Sequence, residues 1–589
     1  MSWLLESAIA MKTSVDCVRF EARTRDPARR QAQVLRRLLS SNAGTAFGRT
    51  HDFSRISNAE DYARAIPVAG YEEFRPFVQR VIDGERRVLT AEQPCMFTCT
   101  SGTTGEPKLI PVTATAKDLA ARAIRVWLAR AMQQHSGCLS HKALTMVSPV
   151  VEGTTATRIP YGSMSGLSSG HVPEIIRRHY ALPAALSLVE DYSARYSLAM
   201  RLAMAQRVSM IATANPGTLI RLAETAKDNA EQLVRAVRDG TLGIGEPRIH
   251  VTPGVTSCDV LREIRAATYP DRARARFLED VILRTGGLSP RDVWPELRLI
   301  GCWLGGSAGF QAAQLRKHYG GVPRRDLGLW ASEGRMTIPV SDETASGVLA
   351  LDTNFYEFIP ERGIDELQPR TLLAHQLERG QRYYLIISSD NGLYRYEMND
   401  IVEVTGFYNR TPMLAFVRKG RDMVSICGEK LHLNHIQTAV RCAEQQTKVA
   451  IRQFRIIPDL THLRYHLLVE QVANSGLIDA AGFTEAFDRS LSVSNIEYAS
   501  RRAAARLHAP IVWVMQHGWS ERVAGADFKS GKRETQYKWQ HITHEWDPIS
   551  AGEVARFMDV TSGRGFEVRG RGTDLPILPP TSAPSGACR

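Results

Sequence analysis

From Ser101 to Lys108 the chain places three hydroxyl residues, two glycines and a lysine in one short polar span, Ser101-Gly102-Thr103-Thr104-Gly105-Glu106-Pro107-Lys108, entered through Thr100. Glycine lets a backbone approach an anion closely and take positive φ. Backbone N–H groups and hydroxyls aimed at one point cradle phosphate oxygens, and an ammonium adds charge. The chemistry implied is a clamp on a nucleotide triphosphate, with ATP as co-substrate. The common phosphate loop needs a glycine before the lysine and a Ser or Thr after it. Here Pro107 and Leu109 hold those places. Pro107 has no N–H and resists opening a helix. With Cys95-Met96-Phe97 before and Leu109-Ile110-Pro111-Val112 after, the span predicts strand, loop, strand. By itself such a span is also an ordinary polar turn.

Four other places could do chemistry. Gly305-Gly306-Ser307-Ala308 follows an apolar run, and its glycines would let a flat ligand lie against the backbone. Leu329-Trp330-Ala331-Ser332-Glu333-Gly334 offers an indole for stacking, a hydroxyl and a carboxylate. A carboxylate beside phosphates can hold Mg²⁺ through oxygen while the ion keeps several waters. Asp400, in Tyr394-Arg395-Tyr396-Glu397-Met398-Asn399-Asp400, could sit at a strand edge and accept both ribose hydroxyls. The stretch Phe528–Trp539 carries Lys529, Lys532 and Lys538, any of which could bring a point charge to a phosphoryl transition state. Taken singly, the plainer alternatives are a turn, a buried Trp beside a surface Glu, a hairpin Asp and a solvated basic loop.

The elements that must hold these residues suggest an α/β chain of more than one domain, since 589 residues exceed one core. Residues 3–74 read as mostly helical, and a further helix through Phe74 ends at Gly84, a natural C-cap. Residues 115–295 read as mainly helical, with Tyr196–Ile211 and Thr218–Arg238 carrying apolar residues at three- and four-residue spacing. Leu297–Leu304 reads as a strand leading into a helix Gln311–Tyr319. Strands are expected at Gly347–Ile359, Tyr383–Ser388, Ile401–Phe407 and Met413–Arg418. The charged run Lys419-Gly420-Arg421-Asp422 marks a hinge. This sets residues 1–418 as a large N-terminal domain and 423–545 as a smaller α+β lid, with strands at Phe454–Ile457, Arg464–Val469 and Ile511–Met515. Residues 546–589 form an extension, rich in Pro, Ser, Ala and Gly from Asp574 onward and so expected to be disordered.

Bulk properties narrow the class. The apolar fraction is 43 % and the charged fraction 23 %, ordinary for a globular protein. No stretch reaches the ~20 apolar residues of a membrane helix. Met1-Ser2-Trp3-Leu4-Leu5-Glu6 lacks the basic leader of a secretory signal. Nine scattered cysteines without a Cys-x-x-Cys pair suggest neither a disulfide framework nor zinc. A cytoplasmic protein is expected. The net charge of +12 could serve nucleic acid or an anionic substrate. No nucleic-acid-binding signature accompanies it, and part of the excess is arginine between Arg19 and Arg37, so a solvated surface is the better reading.

In this order, the segments resemble the acyl acid–amido synthetase branch of the adenylate-forming superfamily, known from plant enzymes that join jasmonate or auxin to amino acids. The carriers are the Phe74–Glu85 helix, the Thr100–Lys108 loop, Ser332-Glu333-Gly334, Tyr394-Arg395-Tyr396 with Asp400, and Gln536-Tyr537-Lys538. The resemblance implies a large adenylating domain of sheets flanked by helices, with a smaller C-terminal domain. It implies ATP phosphates on Thr100, Ser101, Gly102, Thr103, Thr104, Gly105 and Lys108. It implies nucleotide contacts at Gly306, Ser307, Trp330, Ala331, Ser332 and Arg421, ribose on Asp400, Mg²⁺ on Glu333, and adenylation supported by Lys538. Three departures stand out: Leu329 where the family usually has tyrosine, Asn399 where it usually has glycine, and Gly420-Arg421-Asp422, which matches the superfamily's hinge signature only in part. The expected reaction is two-step. A carboxylic acid is converted to its acyl adenylate, and an amine then takes the acyl group. The Ala- and Arg-rich composition suggests a bacterial member, similar to the amide synthetases of aminocoumarin antibiotics. The alternatives are an acyl-CoA ligase with the same first step and, in another class, a non-catalytic nucleotide- or nucleic-acid-binding protein. No membrane partner is expected, and the sequence does not set the oligomeric state.

Overall fold

The computed structural model describes residues 2–100, 108–147, 149, 151–163, 177–251, 255–364, 366, 369–420, 423–472, 479–529, 539–559 and 564–567. The expected tail from Asp574 lies outside them. The chain is mixed α/β and forms two compact units, a large one within residues 2–420 and a smaller one within 423–567.

In the large unit a four-stranded parallel sheet runs Lys142–Leu144, Val208–Ala212, Leu299–Gly301, Arg324–Arg325. Helices Tyr192–Met204, Pro216–Asp228 and Gly306–Tyr319 bury Leu198, Leu219 and Leu315 in one core with Ile211 and Ile300. A strand covered on both faces is a continuous apolar run, with no alternation to distinguish it from a helix. Hence Tyr196–Ile211, expected as one helix, is the end of Tyr192–Met204 followed by the strand Val208–Ala212. The expected helix Thr218–Arg238 is also two, divided at Asn229 (φ −116°, ψ 27°). The strands Lys142–Leu144, Gly153–Thr154 and Pro160–Gly162, in a region expected to be mainly helical, are too short to show a period.

A seven-stranded sheet has the order Thr337–Ile338, Gly347–Leu349, Thr411–Lys419, Tyr396–Tyr408, Arg382–Ser389, Asn354–Pro360, Leu372–Leu373, with antiparallel neighbours. The expected strand Gly347–Ile359 is broken by a turn at Asp352, whose carboxylate is taken by Arg23 and Arg30. Arg37 grips Asp390 with two bonds of 2.5 and 2.8 Å. Part of the N-terminal arginine excess therefore ties the first helices to this sheet rather than serving a polyanion.

The third sheet of this unit is the expected strand–loop–strand: Met96–Thr100 lies antiparallel to Lys108–Val112, with Thr100 opposite Lys108. The helix Tyr71–Ile82 packs beside it and stops with Gly84 at φ +93°, the left-handed position that suits glycine.

In the small unit five strands run Ile451–Asp459, Arg464–Gln471, Ile511–Met515, Val554–Asp559, Arg564–Glu567, with the Arg464–Gln471/Ile511–Met515 pair parallel. Helices Leu433–Thr447 and Ala480–Ser494 bury Ile436 and Phe487 against Leu467 and Val512. The sheet runs past residue 545, where a boundary was expected, because Val554–Asp559 pairs with Ile511–Met515. Trp539 is held by its indole N–H donating to Phe454 O at 2.8 Å and by the Arg455 guanidinium 4.5 Å from its ring centroid.

Candidate active site

Lys108, the lysine that closes the hydroxyl-rich span, is placed by a tyrosine. Tyr71, the first residue of its helix, accepts from Leu109 N (2.9 Å) and donates to Leu109 O (3.1 Å), which pins the start of the strand. The Lys108 ammonium lies 5.4 Å from the Tyr71 ring centroid, a cation–π contact.

Ser332 and Glu333 form the tip of a two-stranded hairpin, Trp330–Ala331 with Gly334–Arg335. The tip is joined to two other elements. The buried Thr98 hydroxyl, on Met96–Thr100, donates to Ser332 O at 3.2 Å. The buried Asn391 amide donates to Glu333 O at 3.3 Å and accepts from Thr113 N at 3.2 Å. The Glu333 carboxylate itself is half-buried, with the Tyr396 phenol at 3.4 Å. Burial, then Glu333, with Tyr71 and Asp400 after it, push the Tyr396 hydroxyl well above its ordinary range. Tyr396 therefore stays protonated and acts as a donor.

Asp400 is not at a strand edge. It lies within Tyr396–Tyr408, is 2 % exposed, and pairs with Lys419 both in register and through the lysine ammonium. Just before it, Asn399 has φ +54°, and the register with Arg382–Ser389 shifts there. This is a β-bulge that aims the following carboxylate away from regular pairing. A left-handed residue is cheapest as glycine and next as asparagine, so the Asn399 departure keeps the same backbone. Asn399 O also accepts from Gly420 N at 2.8 Å.

Other expected contact residues are partly occupied by protein. Gly306 (φ +53°) begins the helix Gly306–Tyr319, with Ser307 next, and a Cβ on Gly306 would stand 2.8 Å from the Phe416 ring. That glycine serves close packing of the turn on the sheet. The Trp330 ring has the buried Arg335 guanidinium 5.5 Å from its centroid, and Ala331 pairs with Gly334 in the hairpin. Burial lowers Arg335 to about 10, against the pull of Asp326. Asp326 is raised to about 6, mainly by burial, although it accepts from Leu304 N (2.6 Å) and Gly328 N (2.5 Å). Those two bonds tie the Gly305 turn to the approach of the Trp330 hairpin.

Glu333 and Asp400 thus both bear on Tyr396, while Lys108, opposite Thr100, stands against Tyr71, which also bears on Tyr396. Ser101, Gly102, Thr103, Thr104, Gly105, Arg421, Lys532 and Lys538 lie outside the described residues. Sequence reading missed Thr98 and Asn391 as partners of the Glu333 tip, and took Lys419 only for part of a hinge. Asn391 stands in Ser389-Asp390-Asn391-Gly392, which signals a turn and nothing more.

Mg²⁺ arriving with a nucleotide needs one or two protein carboxylates beside the phosphate oxygens. Glu333 supplies one, half-buried at a turn tip. Among the described residues no group of three or more His, Cys, Asp or Glu could hold a resident ion. This donor set fits a magnesium bound largely through substrate.

Comparison with known proteins shows the family. Residues 17–324, 347–419 and 434–546 match the N-terminal, central and C-terminal domains of the GH3 family. Indole-3-acetic acid-amido synthetase GH3.4 of Arabidopsis thaliana is 25 % identical over 572 residues, covering 91 % of this chain and 93 % of that protein. Jasmonoyl--L-amino acid synthetase JAR4 of Nicotiana attenuata is 23 % identical over 458 residues, covering 72 % of this chain and 74 % of that protein. The solved structure titled GH3.15 acyl acid amido synthetase superposes with a TM-score of 0.59 at 19 % identity, covering 91 % of this chain and 95 % of that one. It shares the fold. The bacterial aminocoumarin setting expected from composition is not borne out by these plant relatives.

Proposed function

The chain belongs to the GH3 family and is an ATP-dependent acid–amine ligase, and from that premise we propose that it joins a small-molecule carboxylic acid to the amino group of an amino acid through an acyl adenylate. The observation that supports this most is the meeting of Glu333, Tyr396 and Asp400 in one buried electrostatic cluster, alongside the strand pair that carries Lys108.

In the first step a carboxylate oxygen of the acid attacks the α-phosphorus of ATP, and pyrophosphate leaves. Asp400 accepts the ribose hydroxyls. Its bulge and its pairing with Lys419 hold it still while it does so. Lys108 and the hydroxyl-rich span face the phosphates, and Lys538 supports adenylation as a point charge. Mg²⁺, when bound at Glu333, screens the repulsion between carboxylate and triphosphate. Tyr396 keeps its proton and steadies the Glu333 carboxylate. Positioning and electrostatics do most of the work in such transfers. In the second step the neutral amine attacks the acyl carbonyl, AMP leaves with the bonding pair, and the nitrogen gives up a proton to form the amide.

The relatives' names direct the choice of acids. Carboxylate-dependent ATP–pyrophosphate exchange should be run with indole-3-acetate, jasmonate and a panel of aryl and alkyl acids. Products should then be identified by mass spectrometry with each amino acid, with an aminocoumarin amine, and with coenzyme A. The expected result is acid-dependent exchange and an amino-acid amide. Exchange with no acid removes the adenylating function. A thioester product transfers the reading to acyl-CoA ligase.

A further inference from the structure

We propose that Asn391 is the positioning residue for Glu333: together with Thr98 it clamps the hairpin tip that carries the carboxylate onto the strand pair flanking the hydroxyl-rich span. The inference rests on the ligase reading, which gives Glu333 its role.

One side chain makes both connections. The Asn391 amide nitrogen donates to Glu333 O at 3.3 Å, and its carbonyl oxygen accepts from Thr113 N at 3.2 Å. Thr113 directly follows the strand Lys108–Val112, and its hydroxyl donates to Asp390 O (3.1 Å) and accepts from Ala116 N (3.1 Å). The same residue therefore caps the helix Ala114–Gln134 and holds the turn that bears Asn391. From the other side, Thr98 reaches Ser332 O at 3.2 Å. Asn391 is 3 % exposed and Thr98 fully buried, so neither bond competes with bulk water. The tip is the turn of a hairpin with two residues in each strand. The base of that hairpin is anchored separately, where Arg335 O accepts from the Thr353 hydroxyl (2.7 Å) and Met336 N donates to Leu329 O (2.9 Å). Among the described residues, Asn391 and Thr98 are the side chains bonded to the tip's own carbonyls.

The chemical consequence concerns the metal. A single carboxylate that shares an ion with phosphate oxygens must present its oxygens at the place the phosphates dictate. Groups behind a ligand that fix its orientation typically alter metal affinity by about 10- to 100-fold when lost. Asn391 does not touch the ligand oxygens, and its effect is on where they stand.

The test uses the full chain and a non-hydrolysable ATP analogue, with binding followed by calorimetry across a Mg²⁺ titration and in EDTA. Asn391→Asp retains the acceptor for Thr113 N but loses the donor to Glu333 O. Asn391→Ala loses both. Thr98→Val removes the second clamp at similar volume. The expected result is that Asn391→Asp and Asn391→Ala raise the Mg²⁺ concentration for half-saturation about tenfold. Nucleotide affinity in EDTA should remain at the wild-type value, and Thr98→Val should give a smaller shift in the same direction. Thermal unfolding of each variant identifies any that fail to fold, and Asn391→Asp, which keeps the link to Thr113, is the variant on which the result turns. An unchanged Mg²⁺ requirement in folded Asn391→Asp overturns the positioning role while leaving the ligase reading intact. A loss of nucleotide affinity that is equal with and without Mg²⁺ also overturns it, since that is general disruption. If the wild-type chain binds the analogue with no dependence on Mg²⁺, the ligase reading and this inference fall together.

Discussion

Replacing Arg395 should damage the scaffold and leave the nucleotide site chemically intact. Arg395 lies in the Tyr394-Arg395-Tyr396 motif, where a cation near phosphates would be the natural guess. The structure turns it the other way. Its Nε donates to Glu357 at 2.9 and 3.1 Å, one terminal nitrogen reaches Ala63 O and Ile66 O at 2.9 and 2.6 Å, and the other meets the Thr371 hydroxyl at 3.2 Å. The side chains of Arg395 and Glu357 are 6 % and 3 % exposed. Arg395→Met strands a buried carboxylate and two backbone carbonyls. Breaking a buried pair from one side costs about 3–5 kcal/mol, most of it the uncompensated partner charge. Arg395→Lys keeps the charge but has no planar fork to span these acceptors, and should cost about 1–3 kcal/mol. Removing both charges, as Arg395→Met with Glu357→Leu, should recover much of the loss, because an apolar pair of similar volume can replace a buried ion pair. Scanning calorimetry of the full chain measures these differences. Calorimetric binding of the ATP analogue to the folded variants checks the second half. Affinity should stay within about twofold, the effect of a few tenths of a kcal/mol. A near-wild-type Arg395→Met, or a double variant no better than the single, would refute the buried-pair account. Normal stability with lost nucleotide affinity would make Arg395 a ligand-facing residue.

Asp326 predicts a pH effect of definite sign. Its carboxyl is raised to about 6, so the folded chain holds its proton more tightly than the unfolded chain. Its contribution is complete below pH ~4 and is lost as pH rises towards 6, a change of about 3 kcal/mol for two pH units. The difference in melting temperature between wild type and Asp326→Asn, measured from pH 4 to 7, should show that loss in the wild type alone; a flat difference would show that the carboxyl titrates normally. At Asn399, Asn399→Gly should be neutral or stabilising, whereas Asn399→Val should cost about 1–2 kcal/mol for forcing a β-branched residue into the left-handed region. Denaturant unfolding checks both, and an innocuous valine would mean the bulge is not required.

The candidate turns were legible because their residues are neighbours in sequence. A serine, a glutamate and a glycine at 332–334 announce themselves, and so does a helix ending at Gly84. What holds those turns was not legible. Thr98 meets Ser332 across 234 positions, and Asn391 meets Thr113 across 278. A buried Thr in a strand and an Asn in a turn have the local sequence of any such Thr or Asn. The same limit hid Lys419, whose partner Asp400 is fixed by strand register rather than by spacing. The sheets failed differently. Val208–Ala212 carries no alternation because it is covered on both faces, and Gly153–Thr154 is too short for any period. The Gly305-Gly306 turn suggested a ligand because sequence shows that a Cβ is absent, not what fills its place, which here is Phe416.

Two of the departures from the expected family pattern, Asn399 and Leu329, are accommodated in different ways. Asn399 replaces glycine at φ +54° and is the side chain that tolerates that backbone best. Leu329 replaces tyrosine where the side chain packs, partly buried, against the sheet core, while its N–H still donates to the Thr337 hydroxyl at 2.8 Å. At both positions the backbone is bonded, Asn399 O accepting from Gly420 N and Leu329 N donating to the Thr337 hydroxyl. Apolar volume can be redistributed across a core at modest cost. A clamp made of one buried amide with two distant partners cannot, because deleting it leaves a donor and an acceptor unpaired away from water. Asn391 and Thr98 are the buried polar links that join the Glu333 tip to the neighbouring strand pair, and they are of this unexchangeable kind.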